Sequence, residues 1–480
     1  MSTQIMDKVD KTTFLYEKII DDIRNRIANG NLRPGEKLPS VRKLSRDWDV
    51  SVSTVLQSYI ALETIGLIEA KPQSGYYIRY KSGRVLPEPE TPNIQSAIKN
   101  YGCNELVTNL CELSTIPGLI SLGAGIPGSD VLPTKTLNNL LSRIARSCSK
   151  GINYEFPPGN SKLRHELAKR TIEWGGDISQ EDIIITNGAT EALSLSLQAV
   201  AKAGDTILTE SPTYYGVLQL IENFGMHALE IPTHPKDGID IDAFKKAIKN
   251  HKVAACILYP SINNPLGSIM PDDNKRKVYE ILSGKDIPLI EGDVYGELYF
   301  GQTRPKPIKS LDKKGLVLYS SSFKTIAPGY RVGWVCPGRY FDKVKKLKYM
   351  SSLANASFPQ MAMAEFLRTG GYERCIRNLR KKFISNISIV SSLICEYFPD
   401  GTKISKPQGG HYLWIELPEN VNSIKLQRLA LKENISIAPG PLFSTKDDFL
   451  NYIRLSCACS WSSVIDKVIK TLGELCKKAH

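Results

Sequence analysis

From Ile120 onward short apolar runs alternate with helical stretches, and that rhythm restricts the possible folds more than any other feature of the chain. The runs are Asp182–Thr186, Thr206–Leu208, Ala254–Tyr259, Pro288–Glu291 and Leu316–Tyr319, with a helix predicted from Thr190 after the first. Strands separated by helical crossovers pair in parallel, so the expected body is an open, mostly parallel sheet with helices on both faces. At 480 residues the chain exceeds one ordinary core, and a hydrophobic fraction of 42% suits two or three globular domains. There is no internal repeat.

The first eighty residues follow another pattern. Leu15, Ile19, Ile20, Ile23 and Ile27 mark one apolar face of a helix, which Gly30 and then Pro34-Gly35 stop. Ser40 caps a short second helix with Val41 and Leu44 inward, ending near Trp48. Ser51 caps a third, in which Val55, Tyr59 and Leu62 share the same core and Gly66 is the stop. Leu67–Ala70 and Tyr76–Ile78, joined through Lys71-Pro72-Gln73-Ser74-Gly75, read as a two-stranded hairpin. Two helices, a turn, a third helix and a hairpin wing form an all-α-rich helix-turn-helix, whose last helix enters the major groove of duplex DNA. Val52, Ser53, Thr54 and Gln57 are then placed to meet DNA, beside Ser51 at the helix start and Ser74-Gly75 in the wing. Glutamine can pair with adenine, and Arg42 on the preceding helix can clamp a phosphate.

Lys81 to about Leu119 is irregular, and Leu86-Pro87-Glu88-Pro89-Glu90-Thr91-Pro92 reads as stiff, extended linker. The expected boundaries are 1–80 for the DNA-binding domain, 81–117 for the linker and 118–480 for the body. The net charge of +13 favours an anionic partner, yet residues 1–80 hold 12 Lys and Arg against 10 Asp and Glu. Much of the excess falls in Arg339–Lys348 and Arg374–Lys382, either solvated helix faces or a second DNA-contacting surface. The 10 cysteines are scattered, apart from Cys457 and Cys459, so neither a disulfide framework nor a zinc site is expected. With no long apolar span and no signal-peptide plan at the start, no membrane is expected and the chain is placed in the cytoplasm.

The densest chemistry lies between Asn187 and Arg331. Lys324, in Ser320-Ser321-Ser322-Phe323-Lys324, follows a predicted strand, and Arg331 lies seven residues on. Asp293 and Tyr295 follow the strand Pro288–Glu291, Asn264 sits in Asn263-Asn264-Pro265-Leu266-Gly267, and Tyr214 in Pro212-Thr213-Tyr214-Tyr215-Gly216. Asn187-Gly188-Ala189-Thr190 opens a helix. This set supplies what pyridoxal 5'-phosphate requires of a protein. Lys324 is the amine for a Schiff base and Asp293 the anion for the ring nitrogen. Tyr295 and Asn264 serve the phenolic oxygen, and Tyr214 stacks on the ring. The phosphate falls to Arg331, Ser321 and the amides of Gly188, Ala189 and Thr190.

The run Gly30-Asn31-Leu32-Arg33-Pro34-Gly35-Glu36-Lys37-Leu38-Pro39-Ser40-Val41-Arg42 and the later Ser74-Gly75 resemble the GntR family of winged-helix repressors over residues 13–78. The cofactor set resembles the fold type I aminotransferases over residues 118–475, and the two together resemble the MocR subgroup of GntR regulators. That resemblance implies a multidomain chain: a winged helix-turn-helix, then an α/β aminotransferase-like body with a large domain at about 140–350 and a small one at about 351–480 plus the N-terminal segment. It also implies a homodimer. Arg454, in Tyr452-Ile453-Arg454-Leu455-Ser456, matches the arginine that binds the substrate carboxylate, and Tyr154 matches a tyrosine reaching the neighbouring subunit's phosphate. Two departures stand out. Val52 stands where the family commonly has arginine, so no operator sequence can be borrowed, and Phe323 stands before the lysine where serine is frequent, so that one phosphate hydroxyl is either lost or supplied by Ser322. His411 follows a Gly-Gly pair but is read as structural, because proton transfer in this class belongs to the lysine. The implied function is a regulator binding a double-stranded DNA operator and sensing an amino acid or amine through an external aldimine. The alternatives are a working aminotransferase with a DNA-binding appendage and a scaffold that has lost its cofactor.

Overall fold

The computed structural model describes residues 15–28, 32, 36–64, 67–71, 74–78, 86–91, 98–99, 104–446, 448–459 and 463–480. It divides into two compact units, 1–85 with 388–396, and 86–387 with 397–480. Gly30, Pro34, Gly35, Gly66, Pro72 and Gln73, expected in turns, lie outside the described residues.

In the smaller unit, α1 (Leu15–Ala28), α2 (Val41–Asp47) and α3 (Val52–Thr64) precede an antiparallel hairpin of β1 (Ile68–Lys71) and β2 (Gly75–Ile78). Ile19, Ile23, Leu44, Val55, Tyr59, Leu62, Ile68 and Ile78 are buried together, the apolar faces that the spacing gives each element. Each such side chain contributes roughly 1.5–3 kcal/mol when fully buried. Local hydrogen bonds fix the helix starts, since Ser40 Oγ accepts from Lys43 N–H at 3.3 Å and Ser51 Oγ from Thr54 N–H at 3.1 Å. Tyr59 donates its hydroxyl to Pro39 C=O at 2.8 Å, and backbone bonds from Leu38 N–H to Tyr76 C=O and from Ile78 N–H to Glu36 C=O tie the wing to the chain before α2. Gly75 has φ +112°, which a residue with a Cβ rarely adopts.

The larger unit is built on a nine-stranded sheet. Five strands run parallel, in the spatial order His227–His234, Thr206–Ser211, Val253–Leu258, Leu289–Gly292, Val317–Ser322. Val332–Cys336 follows antiparallel, and Ile184–Asn187 closes that edge by pairing with it. Val332–Cys336 is not among the apolar runs expected as strands. Among the described residues, helices pack on the sheet through apolar clusters, and strand residues such as Ile207, Ala255, Ile290 and Leu318 are fully buried. A second sheet near the C-terminus is ordered Lys403–Ile404, Tyr412–Glu416, Tyr452–Ser456, Ala438–Pro439. Ile120–Ser121 pairs with Ile435–Ser436, which joins the start of the body to its end.

Residues 86–117 depart from the expected linker. Leu86 is buried, Pro87 C=O accepts from Ile404 N–H at 2.9 Å, and Glu88 pairs with Lys406. Ile98–Lys99 adds to the sheet beside His227–His234, and α4 (Asn104–Leu113) buries Val107 and Leu110 in the main core. Two apolar residues one turn apart sufficed to dock a short helix that the proline-rich start had masked.

Candidate functional site

Parallel strands end on one side of a sheet, and the residues just past those ends form the site. Gly292 is paired with Ser320, so Asp293 and Tyr295 leave their strand level with the Lys324 loop. Lys324 Nζ donates to Tyr295 Oη at 3.1 Å and lies 5.8 Å from the Tyr214 ring centroid. Burial pushes the Tyr295 phenol up to about 12, so it is protonated at neutral pH. Asp293 is buried among partners that the sequence did not reveal. Its Oδ2 accepts from Arg304 Nη2 at 2.7 Å and from Tyr319 Oη at 2.8 Å, while its Oδ1 is buried with no hydrogen-bond partner. A buried carboxylate paired with an arginine and keeping one bare oxygen fits a protonated ring nitrogen.

The phosphate side is assembled at the strand Ile184–Asn187. Gly188, with φ +77°, opens the helix Gly188–Val200, and a Cβ there would stand 2.7 Å from Arg331 Nη2. Arg331 donates through that nitrogen to Asn187 C=O at 3.1 Å. A guanidinium beside the free amides of a helix start fits a phosphate. Ser321 donates its hydroxyl to Asp293 C=O at 2.7 Å, and the neighbouring Ser322 lines the cavity. Strand alternation sends successive side chains to opposite faces, which is why the neighbour takes that place.

The cavity measures ≈ 390 Å³, and its walls include Ala189, Thr190, Tyr214, Asn264, Tyr295, Ser322, Lys324 and Arg331. Leu110, Cys111 and Ser114, from the stretch expected to be linker, also line it. Arg454 is fully buried and is not part of the wall. Its Nη1 donates to Asn264 Oδ1 at 2.9 Å, its Nη2 to Gly123 C=O, and its Nε has no partner. Its guanidinium lies 4.4 Å from the Tyr412 ring centroid, and Tyr412 Oη is 2.7 Å from Tyr295 Oη. Tyr412 was visible only as the neighbour of His411. His411 is buried, with Nδ1 3.2 Å from Ser456 Oγ. Burial, with the charges of Lys324 and Arg454, holds it well below the usual histidine value and therefore neutral. Tyr154 is 71% exposed, stacked on Phe156 and away from the cavity walls.

In the smaller unit Arg42, Ser51, Val52, Ser53 and Gln57 are exposed on α2 and at the start of α3, and Thr54 is half-buried. Ser51 Oγ lies 2.7 Å from Ser53 Oγ and 2.8 Å from Thr54 Oγ1, so these hydroxyls form one cluster at the helix start. Ser74 and Gly75 are exposed in the wing, where Ser74 Oγ bonds Tyr77 Oη at 2.6 Å.

Residues 15–78 match the bacterial regulatory proteins of the gntR family, and residues 117–472 match aminotransferase class I and II. The uncharacterized HTH-type transcriptional regulator YjiR of Escherichia coli (strain K12) is 38% identical, covering 97% of this chain and 99% of its own. This chain belongs to the MocR type of GntR regulators. Another member, the HTH-type transcriptional regulator NorG of Staphylococcus aureus (strain USA300), is 27% identical over 88% of this chain and 95% of its own. For the body of this MocR-type regulator, LysN, the α-aminoadipate aminotransferase of Thermus thermophilus, superposes with a TM-score of 0.72 at 26% identity. The match covers 77% of this chain and 94% of LysN, whose structure is complexed with N-(5'-phosphopyridoxyl)-L-leucine. The kynurenine aminotransferase of Pyrococcus horikoshii, in complex with PMP, gives 0.72 at 29% identity over 80% of this chain and 95% of its own. Among the described residues no helix is long and apolar enough to cross a membrane.

Proposed function

We propose that this regulator holds pyridoxal 5'-phosphate on Lys324 and changes its DNA binding when an amino compound takes the lysine's place. The observation that carries the reading is the bare, buried Oδ1 of Asp293, two residues before the Tyr295 that Lys324 bonds, in a chain that also carries a helix-turn-helix. The cofactor supplies an aldehyde carbon that exchanges one amine for another and a ring that withdraws electrons. Asp293, fixed by Arg304 and Tyr319, keeps a proton on the ring nitrogen. Gly188, Ala189, Thr190 and Arg331 hold the phosphate, Tyr214 covers a ring face, and Tyr295 and Asn264 serve the phenolic oxygen. Arg454 takes the carboxylate of an amino acid effector, for which it must loosen its bond to Asn264. Tyr154, exposed in one subunit, reaches the site of a partner in a homodimer. The protein works in the cytoplasm on double-stranded DNA, which α3 reads from the major groove with Arg42 on the backbone.

The coupling is what separates regulation from enzymatic turnover. If the captured amine and the DNA bias one conformational equilibrium, each must change the other's affinity by the same factor, typically about 1–3 kcal/mol. The test recovers genomic DNA bound by the protein, then measures affinity for that DNA across a panel of amino acids and amines, with keto acid release followed in parallel. A shift in affinity without keto acid release is expected, and Lys324→Ala should abolish both the shift and the borohydride-trapped cofactor. Rapid keto acid release with unchanged DNA affinity for every compound would favour a working aminotransferase.

A further inference from the structure

Lys348 ends the basic run Arg339–Lys348, one of the stretches open to reading as a solvated helix face, but it is buried. Its side chain is 1% exposed, and Nζ donates to Glu191 Oε2 at 2.7 Å and to Ser352 Oγ at 2.8 Å. Arg339, at the other end of the run, pairs at the surface with Asp286. Glu191 stands in the first turn of the helix Gly188–Val200. Its Oε2 also accepts from Asn187 N–H at 2.6 Å, and its Oε1 accepts from Ser352 Oγ at 2.6 Å. Asn187 is thereby held from every side, since Asn355 Nδ2 donates to its Oδ1 at 2.7 Å and Arg331 donates to its C=O. These contacts converge on the residue just before Gly188-Ala189-Thr190.

We propose that Lys348 is a positioning residue for the cofactor phosphate, acting through Glu191 and Asn187 on the turn that opens the Gly188 helix. The inference rests on the cofactor reading above. Its electrostatic part is a cancellation. A helix start attracts a phosphate through its free amides and dipole, and an unneutralised carboxylate one turn away would oppose that attraction. Burial raises Glu191, but the bonds from Lys348, Ser352 and Asn187 outweigh it and leave the carboxylate ionised. Burial draws Lys348 down from the usual lysine value while Glu191 opposes the fall. Lys348 therefore removes a repulsion that the helix's own sequence creates. Its geometric part is the short Asn187 N–H bond, which Glu191 can keep only while its carboxylate is oriented from the other side.

The test compares pyridoxal 5'-phosphate with pyridoxal, which lacks only the phosphate, in absorbance titrations of full-length protein freed of cofactor. Lys348→Met should weaken the phosphate ester at least about tenfold, the order expected of one uncompensated charge about a helical turn away in a protein interior. Pyridoxal should bind as before, and Lys348→Met/Glu191→Gln should recover most of the loss. Should Lys348→Met not fold, Glu191→Gln carries the test, because with Lys348 kept the phosphate ester should bind tighter and pyridoxal unchanged. Equal losses for both compounds, or no change of the ester in Glu191→Gln, would overturn the proposal and leave an ordinary structural ion pair. Wild-type protein that takes up neither compound would overturn the cofactor reading itself, and this inference with it.

Discussion

The hydroxyls of Tyr295 and Tyr412 lie 2.7 Å apart, with Lys324 Nζ 3.1 Å from the first. Tyr295 reaches this point from a strand end of the large sheet, Tyr412 from the C-terminal sheet. Tyr412→Phe removes one of the two hydrogen-bond partners of Tyr295 and should cost about 1 kcal/mol of stability in urea unfolding. Borohydride trapping at Lys324 should survive. Loss of trapping at unchanged stability would assign Tyr412 to the capture of the amine instead.

Arg304 matters more for stability. Its side chain is 6% exposed and that of Asp293 is fully buried, so Arg304→Ala strands a charge in the interior. A loss of about 3–5 kcal/mol is expected. The double variant Arg304→Ala/Asp293→Ala should lose less than the two single changes together, because neither charge is then left alone. Additive losses in a denaturant series would show that the pair is not coupled.

Glu210 sets a pH dependence. Burial pushes its carboxyl up to about 7, against the opposing hydrogen bond from Tyr259 N–H. The folded state thus keeps a proton that the unfolded chain releases near 4.5. The associated stability is complete below that value and is lost as pH rises through about 7. Glu210→Gln should therefore unfold at higher urea than wild type at pH 8, by up to about 3 kcal/mol, with the difference vanishing near pH 4. Parallel stability curves across that range would refute the shift.

Arg42 and Gln57 should fail differently on DNA. Arg42→Ala should weaken binding to every sequence and lower the salt slope by about one unit, as loss of one phosphate contact does. Gln57→Ala should cost about 1–3 kcal/mol concentrated at one base pair. The check is a binding series against single-base variants at several salt concentrations, in which uniform losses for Gln57→Ala would remove it from the groove.

What the sequence disclosed and withheld follows physical lines. Helices α1 to α3 were legible because each has an apolar face at helical spacing, and two begin at a serine that caps them. Lys324, Asp293 and Tyr295 could be singled out because each follows a short apolar run expected as a strand, and those strands are present. Arg304 and Tyr319 escaped because they meet Asp293 from 11 and 26 positions away with no periodicity to announce it. Lys348 was hidden by company, since Lys343, Lys345 and Lys346 look the same in the sequence and only Lys348 meets Glu191, 157 positions away. Helix α4 was lost behind the prolines of the preceding stretch, Pro87, Pro89 and Pro92. Ser321 and Ser322 differ by a single step of strand alternation, so which of the two faces the cavity is a matter of register that the sequence leaves open.

The antiparallel strand Val332–Cys336 lies between Val317–Ser322 and Ile184–Asn187, and Arg331 at its start bonds Asn187 across 144 positions of chain. Contacts of such separation form late in folding, because the intervening loop must first be closed at an entropic cost. A chain emerging from the ribosome has the turn at Asn187 long before it has the arginine or the lysine that complete the pocket. Uptake of the cofactor should therefore coincide with the last zipping of the sheet, so that a molecule holding it is one whose two distant edges have already met.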